Sequence, residues 1–363
     1  MKWSWKIARI WDIDIYMHAT FLLIVGWVAY SYWVESQSIR AVAGGVLFIL
    51  ALFACVVLHE YGHALMARRF GVKTRDITLY PIGGVARLER IPEKPIEELW
   101  VALAGPAVSV AIALVLAVFL ALTGQLQFSN LLSATSGGIL PRLMAVNLLL
   151  VAFNLIPAFP MDGGRVLRAI LAMRMDHLRA TQIAATVGQG LALLFGLVGL
   201  FRDPMLLFIA FFVWIGAEQE ASMARIKHAL GGIPVSRAMQ TNFQSLAPTD
   251  TLGRAVELIL SGPQHDFPVV DDGRVLGVLE RDALIKALAA SGQGEMVTAT
   301  MRRDVPQVDT HEMVETALGR LEQSGAKTLP VTHGGRLAGL LTSENITEFL
   351  MIRSALQAAP RAA

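Results

Sequence analysis

The chain has 363 residues, 54% of them hydrophobic and 17% charged, with a formal net charge of +2 and a mean hydropathy of +0.53. So apolar a chain needs lipid as part of its solvent, and so small a net charge gives no support to nucleic-acid binding. Its one cysteine, Cys55, rules out an intramolecular disulfide and gives no sign of an oxidising compartment.

Lys2, Lys6 and Arg9 precede the first apolar run, but Asp12 and Asp14 intervene and no small-residue cleavage site follows. The segment therefore reads as an anchor and not as a cleaved signal peptide. A helix crosses the hydrocarbon core with ~20 apolar residues, and six stretches qualify, roughly 17–34, 41–66, 98–123, 140–158, 182–201 and 204–222. An even number leaves both termini on one side. Arg68, Arg69, Lys73, Arg75, Arg87, Arg90 and Lys94 fall between the second and third spans, and Arg165, Arg168, Arg174 and Arg179 between the fourth and fifth. Arg225 and Lys227 follow the sixth, whereas the opposite loops hold only Arg40, Arg142 and Arg202. The excess of basic residues predicts a multi-pass protein of the cell membrane with its N-terminus, the C-terminal end of its second span and the residues after its sixth span in the cytoplasm.

The second span ends in His59-Glu60-Tyr61-Gly62-His63, the zinc-binding pattern H-E-x-x-H. On a helix, positions four apart share a face, so His59 and His63 can offer imidazole nitrogens to one metal ion, with Glu60 about 100° round the axis. In a soluble helix the pattern is often an amphipathic stripe. Here it follows the apolar run 47–53, where ionisable side chains cost roughly 2.5 to 3.5 kcal/mol each, so a functional site is the expectation. Residues 77–88 are apolar yet broken by Pro81, Gly83 and Gly84, which predicts a short hairpin entering the membrane face. The alternative is an ordinary interfacial loop. Gly105-Pro106 marks a kink with close helix contact in the third span.

The fourth span ends in Asn154-Leu155-Ile156-Pro157-Ala158-Phe159-Pro160-Met161-Asp162-Gly163-Gly164. Its prolines and glycines must break the helix, which is tolerated at membrane depth where the backbone lines a cavity. Asp162 then stands at the depth of His59 and His63. Two histidines and a carboxylate make a known catalytic zinc set, so Asp162 is the third candidate ligand; the competing role is a helix cap. Cys55 shares the helical face of His59, where a buried free thiol usually packs. His18, near the start of the first span, either approaches this site or sits at the membrane interface, and the interface is the expectation.

These two patterns, His59 to His63 and Asn154 through Pro157 and Pro160 to Asp162-Gly163, resemble the site-2 protease family of intramembrane metalloproteases over roughly residues 15–225. Met161 stands where the family usually has Leu. The resemblance implies one zinc ion per chain held by His59, His63 and Asp162, with Glu60 as general base and Asn154 holding the oxyanion or the substrate backbone. It implies a re-entrant β-loop that clamps an unwound, single-span transmembrane substrate by strand addition. A different class, a membrane metal transporter or metal sensor, would use the same buried ligands without needing Glu60 as a base.

Past residue 225 the composition turns soluble and an internal repeat begins: Met239 and Met301, Ala255 and Ala317, Pro268 and Pro330, and Gly277 and Gly339 are each 62 apart. Each copy reads as helix, strand, Gly-Arg turn, strand and helix. The pattern resembles paired CBS domains, which implies an adenine-nucleotide cleft and association into a homodimer. Thr342 fits the position that holds phosphate and ribose, while Asn345 stands where an Asp is usual, so a purely structural or dimerising pair stays open. The expected architecture is a multi-pass α-helical membrane domain of about six transmembrane helices with a re-entrant β-loop, followed by a soluble α/β tandem CBS pair. The boundaries are 1–225, 226–290, 291–354 and a tail at 355–363.

Overall fold

The computed structural model describes residues 3–81, 83–89, 92, 94–126 and 138–358. Ile82, Arg90 and the end of the expected tail lie outside the described residues. The chain divides into two compact units, Met1–Ala224 and Arg225–Ala363.

In the first unit, β1 (Ser4–Ile10) and β2 (Ile13–His18) lead into α1 (Phe21–Ser36) and α2 (Ile39–Arg69). β3 (Thr74–Tyr80) and β4 (Gly83–Leu88) follow, then α3 (Pro95–Leu122), α4 (Ile139–Asn154), α5 (Asp162–Ala172), α6 (His177–Phe201) and α7 (Met205–Leu230). Among the described residues α2, α3, α6 and α7 are long and apolar enough to cross a membrane. α1 and α4, on the first and fourth expected spans, have 16 residues each. At 1.5 Å per residue that is about 24 Å, short of the roughly 30 Å hydrocarbon core.

The first expected span starts too early, because residues 17 and 18 close β2 and helix begins only at Phe21. Ile13 and Ile15 are buried and alternate with less buried Asp14 and Tyr16, the period of a strand with one face on a core. Asp12 and Asp14 thus interrupt no helix; Trp11 and Asp12 take positive φ in the β1–β2 turn, and Asp14 pairs with Lys6 at 2.6 Å. The four strands form one sheet in the order β1-β2-β3-β4, with β2 and β3 parallel. β3 and β4 are the hairpin expected at 77–88, begun earlier, at Thr74. Ile13, Ile15 and Ile77 pack on Tyr61 and Ala64 of α2, and Tyr61 Oη donates to the Ile10 carbonyl at 3.0 Å.

α2 and α3 run against each other, and α4 closes over them through Phe48, Cys55, Leu143 and Ile112; Cys55 is a packing residue in this cluster. α4 ends at Asn154 and α5 starts at Asp162. The seven residues between them fold back so tightly that a Cβ on Gly163 would run into the Leu155 and Ile156 carbonyls. Phe159, fully buried, packs on Ala184, Ala185, Ala217 and Ala221 of α6 and α7.

The second unit carries α8 (Leu252–Ser261), β5 (Phe267–Asp271), β6 (Arg274–Leu279), α9 (Arg281–Ser291) and α10 (Val297–Thr300). β7 (Val308–Asp309), α11 (Val314–Ser324), β8 (Thr328–His333), β9 (Arg336–Thr342) and α12 (Ser343–Ala358) complete it. The hairpins β5–β6 and β8–β9 have one register at an offset of 62, Phe267 opposite Leu279 and Leu329 opposite Leu341. The copies interlock. Gln240, ahead of the first copy, exchanges backbone hydrogen bonds of 2.8 and 3.0 Å with Leu340 of the second, and Arg302, ahead of the second, exchanges two of 2.9 Å with Val278 of the first. Gly277 and Gly339 recur because a Cβ at either would strike the crossing backbone, Arg302 O or Gln240 O. Each core is therefore built with the other copy's leading segment, Val235 and Ala238 in one and Val297 and Met301 in the other.

Candidate metal centre

His59 and His63 are one turn apart on α2, and their Nε2 atoms lie 3.2 Å from each other. Asp162 Oδ2 is 3.2 Å from His59 Nε2 and 3.1 Å from His63 Nε2. The three residues are buried, at 5%, 4% and 7% exposure, and their donor atoms make a nearly equilateral triangle. A tetrahedron with metal–ligand bonds of about 2.0–2.1 Å has edges of about 3.3 Å, so the triangle fits one face of a zinc site.

The hydrogen bonds behind the rings define what the front atoms can do. His63 Nδ1 is 2.7 Å from the Val101 carbonyl, which only accepts, so Nδ1 carries the hydrogen and Nε2 of the neutral ring is bare. That bare nitrogen faces a carboxylate oxygen and a second imidazole nitrogen. Three electron-rich atoms converging away from water are relieved by a cation between them. His59 Nδ1 is held by Ser109 Oγ at 3.0 Å, and Ser109 is fully buried.

Both supports come from α3. Val101, Gly105 and Ser109 are four residues apart and share one face of that helix. Gly105, between the two supports, lies directly against the rings, so that a Cβ there would collide with His63 Nε2 and His59 Nε2. On α2, Gly62 admits the α3 backbone, its absent Cβ being 2.6 Å from the Ala104 carbonyl oxygen. The close contact expected at Gly105-Pro106 is thus the wall of the site. Val101 and Ser109 escaped the sequence reading, and only their spacing around Gly105 could have pointed to them.

Asp162 is the first residue of α5 after the N-cap Met161, and no side-chain hydrogen bond caps this helix. Its carboxylate is turned to the histidines and not to the helix start. Glu60, half-buried, points toward β4, where the Ala86 N–H donates to Oε2 at 3.3 Å and Gly84 leaves room for the side chain. Asn154, the last residue of α4, is half-buried and is not among the hydrogen-bond partners of the triangle. In the second unit Thr342 Oγ1 donates to Asn345 Oδ1 at 2.9 Å and accepts from Asn345 N at 3.1 Å, capping α12; these two side chains are engaged with each other. His18 bonds Thr20 Oγ1 at 2.8 Å and stacks at a tilt on Tyr80, 5.2 Å between centroids.

The family model described as Peptidase family M50 matches residues 47–139 and 128–196, and the CBS domain model matches 235–290 and 295–352. A zinc metalloprotease of Methanocaldococcus jannaschii is 34% identical over 355 residues, covering 97% of this chain and 97% of the relative. Among solved structures, the site-2 protease from Methanocaldococcus jannaschii shows 40% identity over 60% of this chain and 95% of that chain, with a TM-score of 0.45. The crystal structure of CBSX2 in complex with AMP shows 26% identity over 35% of this chain and 98% of that chain, with a TM-score of 0.29.

Proposed function

Because this chain belongs to peptidase family M50, the metallopeptidases of the site-2 type, and carries two CBS domains, we propose that it is an intramembrane zinc endopeptidase acting on single-span membrane proteins. The observation that carries this reading is the triangle of His59, His63 and Asp162 beside Glu60, among helices long and apolar enough to span a bilayer. These three residues would hold one zinc ion, which supplies Lewis acidity that acidifies water and polarises the scissile carbonyl. Glu60 takes the proton of the attacking water and returns it to the leaving amine. Asn154 steadies the oxyanion or the substrate backbone.

A transmembrane substrate has its carbonyls paired within its own helix and must unwind before attack. Its freed backbone needs partners, and β4 is the sheet edge whose Ala86 N–H already reaches toward Glu60. A strand laid along β4 would carry its peptide bonds past Glu60. We assign the protease to residues 1–225 and the CBS domains to 226–290 and 291–354, with 355–363 as a tail. The CBS pair, placed in the cytoplasm with the N-terminus, controls activity or access, takes an adenine nucleotide near Thr342 and Asn345, and joins two chains into a homodimer.

The test is cleavage of a tagged single-span substrate in liposomes by wild type and Glu60→Gln, with a zinc chelator and ATP as variables. Cleavage lost with Glu60→Gln at unchanged zinc content, and lost with chelator, is the expected result. A Glu60→Gln protein that cleaves like wild type would overturn the assignment of the base, and zinc flux through both proteins without cleavage would make the chain a transporter.

A further inference from the structure

Outside the buried triangle, one other group of metal-binding side chains converges among the described residues. A carboxylate oxygen of Asp309 and ring nitrogens of His311 and His333 all lie within 4.8 Å of one another. We propose that Asp309, His311 and His333 form a second metal site, on the surface of the second CBS repeat, selective for a divalent transition metal such as Zn²⁺ or Ni²⁺ over Mg²⁺ and Ca²⁺. Two imidazoles and one carboxylate are the donor set such metals favour, and the exposed side leaves the remaining positions to water.

The backbone that carries these donors is fixed. β7 pairs in parallel with β8, Asp309 beside Thr332, and the Thr310 N–H donates to the Thr332 carbonyl at 3.0 Å, setting the next residues, Thr310 and His333, side by side. His333 is the last residue of β8 before a two-residue turn with positive φ at Gly334 and Gly335. The His311 and His333 rings are 5.4 Å apart between centroids. Thr310 Oγ1 lies 3.3 Å from His311 Nδ1 and 3.0 Å from His333 Nδ1, and His311 Nδ1 lies 2.9 Å from Asp309 Oδ1.

The bland account is a hydrogen-bonded turn, since Asp309 Oδ1 also accepts the His311 N–H at 2.9 Å. The internal repeat tests that account. The counterparts of Asp309, His311 and His333, 62 residues earlier, are Ala247, Thr249 and Asp271, and the first copy folds the same corner without a histidine. What does recur is the closing bond: Ala247 N donates to Asp250 Oδ2 at 2.7 Å, and Asp309 N donates to Glu312 Oε1 at 3.1 Å. The fold needs that bond; it does not need two histidines and an aspartate at one point. The site is also separate from Thr342 and Asn345, because His333 and Arg336 bracket one end of the β8–β9 hairpin and Thr342 ends the other, seven residues of β9 or about 20 Å away.

Full-length protein in micelles, without a histidine tag, is dialysed to equilibrium against micromolar Zn²⁺ with excess Mg²⁺, and zinc per chain is measured by mass spectrometry. His311→Ala with His333→Ala, two exposed positions, is expected to bind one zinc per chain fewer than wild type, while His265→Ala, an exposed histidine elsewhere in the unit, matches wild type. Asp309→Asn keeps an acceptor for the turn and should weaken the second site at least about tenfold. Equal zinc in wild type and the double variant, or loss of the second zinc to Mg²⁺, would overturn the site. The readout is metal stoichiometry, so it stands or falls independently of proteolysis.

Discussion

At the scale of single residues, the triangle of His59, His63 and Asp162 is held by atoms outside it. Ser109 holds His59 Nδ1 and thereby fixes which nitrogen faces Asp162. Removing such an outer partner typically costs 10–100-fold in metal affinity, so Ser109→Ala should release zinc to a chelator faster by about that factor, with helical content unchanged. Gly105→Ala should be harsher. Its methyl would occupy the space of both Nε2 atoms, and the expected outcome is a folded protein that purifies with little zinc, checked by circular dichroism beside metal analysis. Zinc retained at wild-type stoichiometry would mean that α3 can back away from α2.

Among elements, the question is what keeps α5, and with it Asp162, in register with α2 and α3. Arg168, 2% exposed, donates through Nε to Glu98 Oε1 at 2.7 Å and through Nη1 to Glu220 Oε2 at 2.9 Å, tying α5 to α3 and α7. Its guanidinium also lies over the Phe159 ring, 5.0 Å from the centroid. A buried pair of this kind adds little net stability, but breaking it strands a charge at a cost of about 3–5 kcal/mol. Arg168→Ala should therefore lower the thermal unfolding midpoint sharply, and Arg168→Met combined with Glu98→Gln should recover much of the loss. An Arg168→Ala protein as stable as wild type would show that the clamp is not what orders α5.

For the whole molecule, the two CBS copies are held together by interlocked cores and by polar bonds between them. Thr328 Oγ1 donates to buried Asp266 Oδ2 at 2.7 Å, and exposed Lys327 pairs with Asp282 at 2.8 Å. The Lys327 ammonium holds the Asp282 carboxyl below its ordinary value, and Asp282 in turn raises Lys327. A lowered carboxylate contributes above the ordinary aspartate range and fades as pH falls through the lowered value; a raised lysine contributes below its ordinary value and fades as pH rises through the raised one. The pair should act evenly between about pH 4 and pH 10. Melting curves of wild type and Asp282→Asn should then differ by a small, salt-sensitive amount that is constant from pH 5 to pH 9 and shrinks toward pH 3.

Much of this protein is written in patterns of short range. The i, i+4 spacing of His59 and His63, the apolar runs and the 62-residue repeat are properties of neighbouring or regularly spaced residues, and a helix or strand converts them directly into one face or one copy. The break before Asp162 was equally legible, since Pro157, Pro160 and the paired glycines cannot continue a helix. Which carboxylate the histidines would meet rested in the sequence on depth and on the family resemblance, and the contact itself exists only because α5 brings Asp162 to His59 across 103 residues. The N-terminal strands were hidden by an apolar run whose strand period is only six residues long. The Arg168 clamp and the meeting of His311 with His333 have no sequence signal of their own, and the α3 supports and the crossed CBS segments leave only a spacing, four residues either side of Gly105 and a glycine repeated at 62, that does not name the partner. Each is a contact between residues that only packing makes neighbours, so the tertiary structure alone decided them.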